Sequence, residues 1–176
     1  MLNENFNKLY EISPLTMAVM PVSDVETGAM NTIILEQTGS YRVPSPPTKL
    51  IDSACRFFGS SLQGRIEGTR EISRFTHKAP IVIDPSTGMF FFPTMSPRNR
   101  NCAWINHSYV ENIQAIDQKQ TKIVFSNNEY VIVDISYGSM VNQLQRTAQF
   151  RFSLENRMKQ IHSEIKKKLP QPTQQS

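Results

Sequence analysis

Two apolar runs on either side of a four-residue turn constrain the fold of this chain more than any other feature. The runs are 81–84 (Ile-Val-Ile-Asp) and 89–92 (Met-Phe-Phe-Phe), and the segment 85–88 (Pro-Ser-Thr-Gly) separates them. Short β-branched and aromatic runs around such a turn are typical of a β-hairpin. Consecutive phenylalanines on a strand point to both faces, which favours a buried strand over a platform for stacking bases. We therefore expect a buried antiparallel sheet.

Similar apolar runs recur along the rest of the chain. Further strands are predicted at 15–22, 30–36, 104–105, 112–116, 122–125 and 130–135. An internal helix is predicted at about 47–58, where an apolar stripe follows a Pro-rich joint. A closing helix is predicted at about 137–168, with Ser136 as its cap and a phase change near Phe150 that indicates a kink or two helices. The expected fold class is α+β, predominantly antiparallel β with one internal helix and a helical C-terminus.

Length and composition describe an ordinary globular domain. The chain has 176 residues, of which 39% are hydrophobic and 19% charged, so it can bury a core without disulfides or metals. No apolar run is long enough to span a bilayer, and the polar N-terminus lacks a signal-peptide pattern. Two cysteines, Cys55 and Cys102, fit the reducing cytoplasm. We expect a variable leader at 1–12, a domain at 13–150, and a helical extension with a frayed polar tail at 151–176.

Positive charge is concentrated in the middle of the chain. Residues 56–108 contain six arginines and one lysine against three acids, whereas residues 1–55 contain three bases against six acids. The planar fork of arginine suits phosphate and groove contacts, so the pattern favours a nucleic acid as partner. A scattered, solvated surface would give the same counts, and charge alone leaves both interpretations open.

The densest motif in this block is the glycine- and hydroxyl-rich segment 55–69. Its glycines allow the backbone to approach a phosphate closely, and Arg56 and Arg65 add charge beside it. No Gly-Lys-Ser/Thr follows at P-loop spacing, so nucleotide binding is not predicted. The plainer interpretation is a helix end followed by ordinary turns. The core residues expected to hold these turns are Cys55, Phe57 and Phe58.

The thiols and imidazoles do not form a recognisable catalytic or metal-binding motif. Only Cys102 and His107 lie near each other in sequence, and Cys55 and His77 have no close partner, so a zinc site is not expected. Neither a nucleophile elbow nor a His-Glu-x-x-His motif is present. We therefore predict no catalytic residue, no metal and no cofactor. A small thiol or metal enzyme using these side chains remains a rival hypothesis.

Several dense motifs follow one another in a fixed order over roughly residues 15–150. They are 51–61 with Gly64-Arg65 and Gly68-Thr69, then 77–81, 84–86, 91–94, 102–105 with His107, 125–127, 135–137, Asn142-Gln143 and 146–148. This series closely resembles the competence transcription factor (ComK) family of Firmicutes. The resemblance makes residues 13–150 a competence-factor-type DNA-binding domain.

The resemblance implies a transcription activator of DNA-uptake genes. Its partner would be double-stranded DNA, read at paired A-tract and T-tract half-sites mainly through the minor groove. Arginines suit this task because A-tract minor grooves are narrow and strongly negative. The bases proposed as DNA contacts are Arg65, Arg74, Lys78, Arg98 and Arg100. Three of them, Arg65, Arg98 and Arg100, are expected on turns, and replacing Arg65 by alanine is expected to weaken binding.

A second, weaker resemblance covers residues 104–140. The strand-forming runs around Trp104 to Ile113, Ile123 to Asn127 and Val133 to Ser136 resemble the LytTR DNA-binding domain, a β-rich fold that contacts DNA through loops. This resemblance implies a LytTR-like arrangement of the strands. It adds four candidate DNA contacts, Asn106, His107, Ser108 and Tyr137.

Self-association and a protease adaptor are the other implied partners. The closing helix is expected to mediate dimers or tetramers through Met140, Leu144 and Ala148. The family resemblance also implies a Clp-protease adaptor, but the chain has Lys-Lys-Lys-Leu-Pro-Gln-Pro at 166–172 in place of an aromatic-Met-Leu-Tyr-Pro motif, which leaves this partner open. The alternative to an active regulator is a DNA-silent paralogue that pairs with one.

Overall fold

The strand-forming runs build two antiparallel sheets in the computed structural model, which describes residues 12–170. The strands are β1 (Thr16–Ser23), β2 (Met30–Glu36), β3 (Gly39–Val43), β4 (Ile81–Asp84), β5 (Met89–Pro93), β6 (Trp104–Asn106), β7 (Val110–Ala115), β8 (Thr121–Phe125) and β9 (Tyr130–Val133). The helices are α1 (Pro47–Phe57), α2 (Leu62–Ser73) and α3 (Tyr137–Lys168). The expected α+β class with mostly antiparallel strands is confirmed.

The main sheet has the strand order β3-β2-β1-β6-β5-β4, and the small sheet has the order β7-β8-β9. The predicted hairpin forms its edge, where Ile81 pairs with Phe91 and Val82 with Phe90. Sequence-distant strands meet at its centre, where β6 lies between β1 and β5. The strand β3, which the sequence pattern did not indicate, pairs with β2 at the opposite edge.

The main sheet is covered on both faces. On one face, α1 and α2 contribute Leu50, Ile51 and Leu62 to a core that includes Phe91 and Trp104. On the other face, the small sheet packs over the centre of the main sheet, and α3 packs over the centre and the β4–β5 edge, each against its own apolar cluster. Phe90, Phe91 and Phe92 are all fully buried, so the expectation of a core strand is confirmed.

The segment after α1 differs from the expected turns, because residues 62–73 form the helix α2. The Ser61 hydroxyl caps it by accepting a 3.0 Å bond from the Gly64 amide. Leu62 and Thr69 are buried, and the Thr69 hydroxyl donates a 2.6 Å bond to the Pro80 carbonyl. Cap and packing together outweigh the roughly 1 kcal/mol helix penalty of each glycine. The chain thus has two internal helices where one was predicted, and Arg65 lies on a helix, not on a turn.

Two further expectations about helices are wrong. Phe57 and Phe58 are 51% and 37% exposed, because α1 turns Leu50, Ile51 and Cys55 inward and ends before these rings can follow. The closing helix α3 runs without a break from Tyr137 to Lys168. Its apolar phase changes near Phe150 because that side chain packs against Val82 and Phe90 at the sheet edge. The predicted cap holds, since the Ser136 hydroxyl accepts from the Ser139 amide.

The predicted leader and tail fall largely outside the described residues, which exclude 1–11 and 171–176. Across the described part of the chain, no helix combines the length and the apolar character needed to cross a membrane.

Candidate nucleic-acid interface

A basic cleft of about 680 Å³ opens between α1, α2 and two loops. The first loop, 74–80, joins α2 to β4, and the second, 94–103, joins β5 to β6. The bases that line the cleft are Lys49, Arg70, Lys78 and Arg98, with His77 beside them. The fold therefore brings together two of the predicted DNA contacts, Lys78 and Arg98.

Asp52 is the acid in the cleft lining, and its carboxylate is already engaged. It accepts 2.8 Å bonds from the Arg56 side chain and from the Leu62 amide. Burial opposes ionisation, but these bonds outweigh it and lower the pKa of Asp52. Within residues 12–170, no carboxylate lies within ion-pair distance of Lys49, Lys78 or Arg98. The cleft consequently carries uncompensated positive charge, as a phosphate-binding surface requires.

The loop 74–80 is fixed by its backbone. Arg74 and Lys78 both adopt left-handed backbone angles, with φ of 59° and 46°, which non-glycine residues rarely adopt. Arg74 ends α2 in this conformation, and its amide donates a 2.8 Å bond to the Arg70 carbonyl. Strained conformations persist where surrounding contacts determine them, and they often occur at binding sites. The loop is thus held in one shape, with the Arg74 and Lys78 side chains exposed.

Two residues of α3 supply the contacts that hold this loop. The Gln143 amide group donates to the Lys78 carbonyl at 3.1 Å and to the Pro93 carbonyl at 2.7 Å. The Arg146 guanidinium donates to the His77 carbonyl and lies 4.5 Å from the centre of the Phe75 ring. Desolvation lowers the pKa of Arg146. Sequence reasoning quoted both residues as part of a motif but gave them no role, although a polar residue on the buried side of α3 was a usable signal.

Arg65 and Arg100 are tied to the protein backbone. Arg65 lies on α2, and its Nη2 donates a 3.1 Å bond to the Ile83 carbonyl while its Nε is buried without a partner. Arg100 lies on the loop 94–103, as expected, and its Nη2 donates a 2.9 Å bond to the Gly28 carbonyl near the β1–β2 turn. Arg98, two residues earlier, lines the cleft. The three arginines therefore occupy three different environments.

The candidates Asn106, His107 and Ser108 lie together beside the β4–β5 turn, outside the cleft lining. Asn106 is 1% exposed, and its amide bonds the Thr16 carbonyl and the Ser108 amide. The Ser108 hydroxyl donates to the Gly88 carbonyl and accepts from Arg151. His107 is half-buried, and burial together with the nearby Arg151 lowers its pKa. These contacts give the three residues a structural setting, and their contact with DNA stays a prediction.

The remaining predicted residues lie on α3. Tyr137 is its first residue and is 44% exposed. Met140 is fully buried in the core between the sheets, Leu144 packs against that core, and Ala148 is exposed. Met140 therefore has no surface to offer a second subunit, because it fills the protein interior.

The thiols are buried and have no metal-binding neighbours. Burial raises the pKa of Cys55 and of Cys102 to about 11, so both are protonated at neutral pH. Among residues 12–170, no three His, Cys, Asp or Glu side chains are grouped so that they could share a metal ion. These positions give the rival enzyme hypothesis no assembled site to build on.

The family profile described as ComK protein matches residues 7–159. The chain belongs to the ComK family. The competence transcription factor of Bacillus subtilis (strain 168) is similar to it, with 38% identity over 149 residues that cover 85% of this chain and 77% of that relative. No solved structure gives a significant match. The LytTR likeness and the Clp-protease adaptor remain predictions from resemblance.

Several motifs that carry the ComK resemblance have structural roles in this fold. Trp104 donates a 3.2 Å bond from its indole to the Thr48 hydroxyl, which links β6 to α1. Asp84 organises the hairpin turn by accepting bonds from Ser86 and Thr87. These motifs build the frame, and the bases around the cleft are left for recognition.

Proposed function

We propose that this ComK-family protein is a cytoplasmic, DNA-binding transcription activator of competence genes that uses the basic cleft to hold DNA. Family membership supports the class of function. The observation that carries the interface is the group Lys49, Lys78 and Arg98, which shares one concave surface and has no ion pair in the described part of the chain. On this basis the cleft bases contact phosphates and fix the position of the duplex.

Sequence preference is proposed to come from arginines on the loop 94–103. Arg98 is exposed at the mouth of the cleft, and Arg100 is exposed farther along the same loop. An A-tract has a narrow minor groove with a strong negative potential, into which an arginine inserts favourably. The phosphate contacts and the arginine would then act on adjacent parts of the duplex. A paired A-tract and T-tract site requires two copies of the protein, so self-association belongs to the proposal.

The first test is a mobility-shift titration of the full chain with a duplex that carries paired A-tract and T-tract half-sites. A G·C-rich duplex of equal length serves as the control. We expect tighter binding to the A/T duplex and an affinity that falls steeply between low and moderate salt. Folded protein that binds neither duplex at low salt would falsify the proposal and favour the DNA-silent paralogue.

A second duplex tests which groove is read. Replacing A·T pairs by inosine·cytosine pairs keeps the minor-groove acceptor pattern, because inosine lacks the guanine amino group, but it changes the major groove. We expect the affinity for this duplex to stay close to that for the A/T duplex. A fall to the level of the G·C-rich duplex would show major-groove reading instead.

A further inference from the structure

The face of α3 that packs on the domain continues past the point where the domain ends. Over the first half of the helix this face is buried, through Met140, Gln143, Thr147 and Phe150. At 3.6 residues per turn the next members of the same face lie within an arc of about 80°. They are Leu154, Met158, Ile161, Ile165 and Leu169. The apolar stripe therefore extends along a part of α3 that no longer touches the sheets.

This second part of the stripe is exposed. Met158, Ile161 and Ile165 are 39%, 57% and 48% exposed, and Leu169 is 62% exposed. Leu154 is half-buried at the edge of the domain, against the cluster around Phe90. Large apolar side chains in a row at helical spacing mark a docking surface more often than scattered single ones do.

The spacing of the stripe fits helix pairing. Leu154, Met158, Ile161 and Ile165 follow one another at intervals of four, three and four residues, as in the seam of a coiled coil. The neighbouring seam positions on either side are Arg151 and Lys168. Arg151 is turned to its own domain, where it bonds Glu155 and Ser108. The pairing surface is therefore bounded at 154–165, which we call the α3 seam.

The charges beside the α3 seam select one orientation of a second copy. Arg157 and Glu164 flank the same side of the seam, one turn to either side of its middle. In an antiparallel pair with Met158 beside Ile161 of the second copy, Arg157 of each helix lies opposite Glu164 of the other. Both symmetric contacts then join opposite charges. Arg157 has no ion pair within residues 12–170, and Glu164 accepts a long 3.4 Å bond from Gln160.

A parallel pair lacks this complementarity. It would place Arg157 beside His162 of the other helix, and it would bring the two Lys166-Lys167-Lys168 runs together. Like charges at close range oppose association, whereas the antiparallel pair holds the lysine runs at opposite ends.

We propose that the α3 seam is a self-docking site that takes a second copy of this chain in antiparallel orientation. The inference deepens the self-association within the proposed function, and it relocates the interface from Met140 to the exposed half of α3. Its test is made without DNA, so its failure and the failure of DNA binding are separate results.

The experiment measures the monomer–dimer equilibrium of the full chain by sedimentation equilibrium. Ile161→Asn removes the centre of the seam, and we expect it to weaken the dimer at least roughly tenfold. Phe152→Asn is the matched control, because Phe152 is 66% exposed but lies off the seam, and it is expected to leave the dimer unchanged. A wild-type chain that stays monomeric at about 0.3 mM would overturn the proposal.

Charge reversal tests the orientation. Arg157→Glu and Glu164→Arg each create two like-charged contacts in the antiparallel pair, so each is expected to weaken the dimer roughly 5- to 10-fold. The double variant recreates both attractions and is expected to recover most of the loss. Lys159→Glu makes the same charge change on the outer face and should have little effect. Single variants that weaken the dimer without recovery in the double variant would overturn the antiparallel orientation.

All of these side chains are exposed or half-exposed in the single chain, so the variants are expected to melt within about 2 °C of the wild type. A variant that dimerises less and also melts much lower has lost its fold. In that case the reciprocal test is decisive. Mixing the Arg157→Glu chain with the Glu164→Arg chain does not restore both contacts, whereas the double variant does.

Discussion

The arginines at the junction of α3 with the main sheet and the bases of the cleft differ in what they contact. Arg146 and Arg151 direct their guanidinium groups at backbone carbonyls, side-chain oxygens and aromatic rings of their own chain. Lys78 and Arg98 line the cleft without an ion pair in the described residues. The comparison teaches that a count of bases overstates the number of contacts available to DNA. Charges used to build the frame are not available to the ligand.

The two groups are nevertheless connected. Arg146 and Gln143 hold the carbonyls of His77 and Lys78, and the loop they hold carries bases of the cleft. The junction group therefore shapes the surface, and the cleft group supplies its charge. Four variants separate these roles, and they follow in order of decreasing expected effect.

Arg146→Ala is expected to have the largest effect, and the effect should be on stability. It removes a charged hydrogen bond to the His77 carbonyl, a bond to Gln143 and the contact with the Phe75 ring. We expect a loss of about 2–3 kcal/mol in the free energy of unfolding, measured by urea denaturation. Arg157→Ala, in the exposed half of α3, is the control and should cost less than about 0.5 kcal/mol. Equal losses in the two variants would remove the distinction between the groups.

Removing two cleft bases together is expected to weaken DNA binding without loss of stability. For Lys78→Ala with Arg98→Ala we expect roughly tenfold weaker binding, and a logarithmic salt slope that is smaller by about 2, near one per lost phosphate contact. Lys119→Ala with Lys159→Ala removes the same charge elsewhere and should keep most of the slope. A double cleft variant with unchanged slope would mean that DNA binds another face.

Arg65→Ala sharpens the comparison, because the sequence grouped Arg65 with the DNA contacts and the structure bonds it to the Ile83 carbonyl. We expect a cost of about 1 kcal/mol in stability and a salt slope like that of the wild type. The measurement is the same titration over a series of salt concentrations. If the slope decreases by about 1, Arg65 contacts a phosphate and belongs with the cleft bases.

The smallest effect concerns His107 and pH. Burial and Arg151 lower its pKa, so the unfolded chain binds a proton more readily than the folded chain does. Stability is therefore fully present above the ordinary histidine range and is lost as the pH falls below about 6.5. His107→Gln should flatten this acid-side loss in urea titrations at several pH values, with His162→Gln as the control. An unchanged pH profile would show that His107 takes no part in it.

The sequence predicts local structure well and the assembled site poorly. The β4–β5 hairpin was predictable because its strands and its turn are neighbours in the chain. The helix α2 was missed because Gly64 and Gly68 indicate turns, whereas the Ser61 cap and the packing of Thr69 on Pro80 decide the outcome. The cleft could not be derived at all from local pattern, because its bases come from two helices and two loops.

The oligomer residues show the same limit. A stripe at helical spacing looks alike whether it faces its own sheet or solvent, so Met140 and Ile161 are equivalent in the sequence. They differ because the main sheet ends near Phe150 while the helix continues. Domain size, a property of the whole fold, thus decides which half of the stripe is left exposed.

The unbroken course of α3 links the two proposed surfaces thermodynamically. The same helix holds the loop 74–80 at one end, through Gln143 and Arg146, and carries the α3 seam at the other. If docking of a second copy steadies α3, it also steadies the loop that meets DNA. Linkage is reciprocal, so any factor by which dimerisation raises the affinity for DNA must equal the factor by which DNA raises the dimerisation constant. A rigid helix would in this way make occupancy of one half-site sensitive to the concentration of the protein itself.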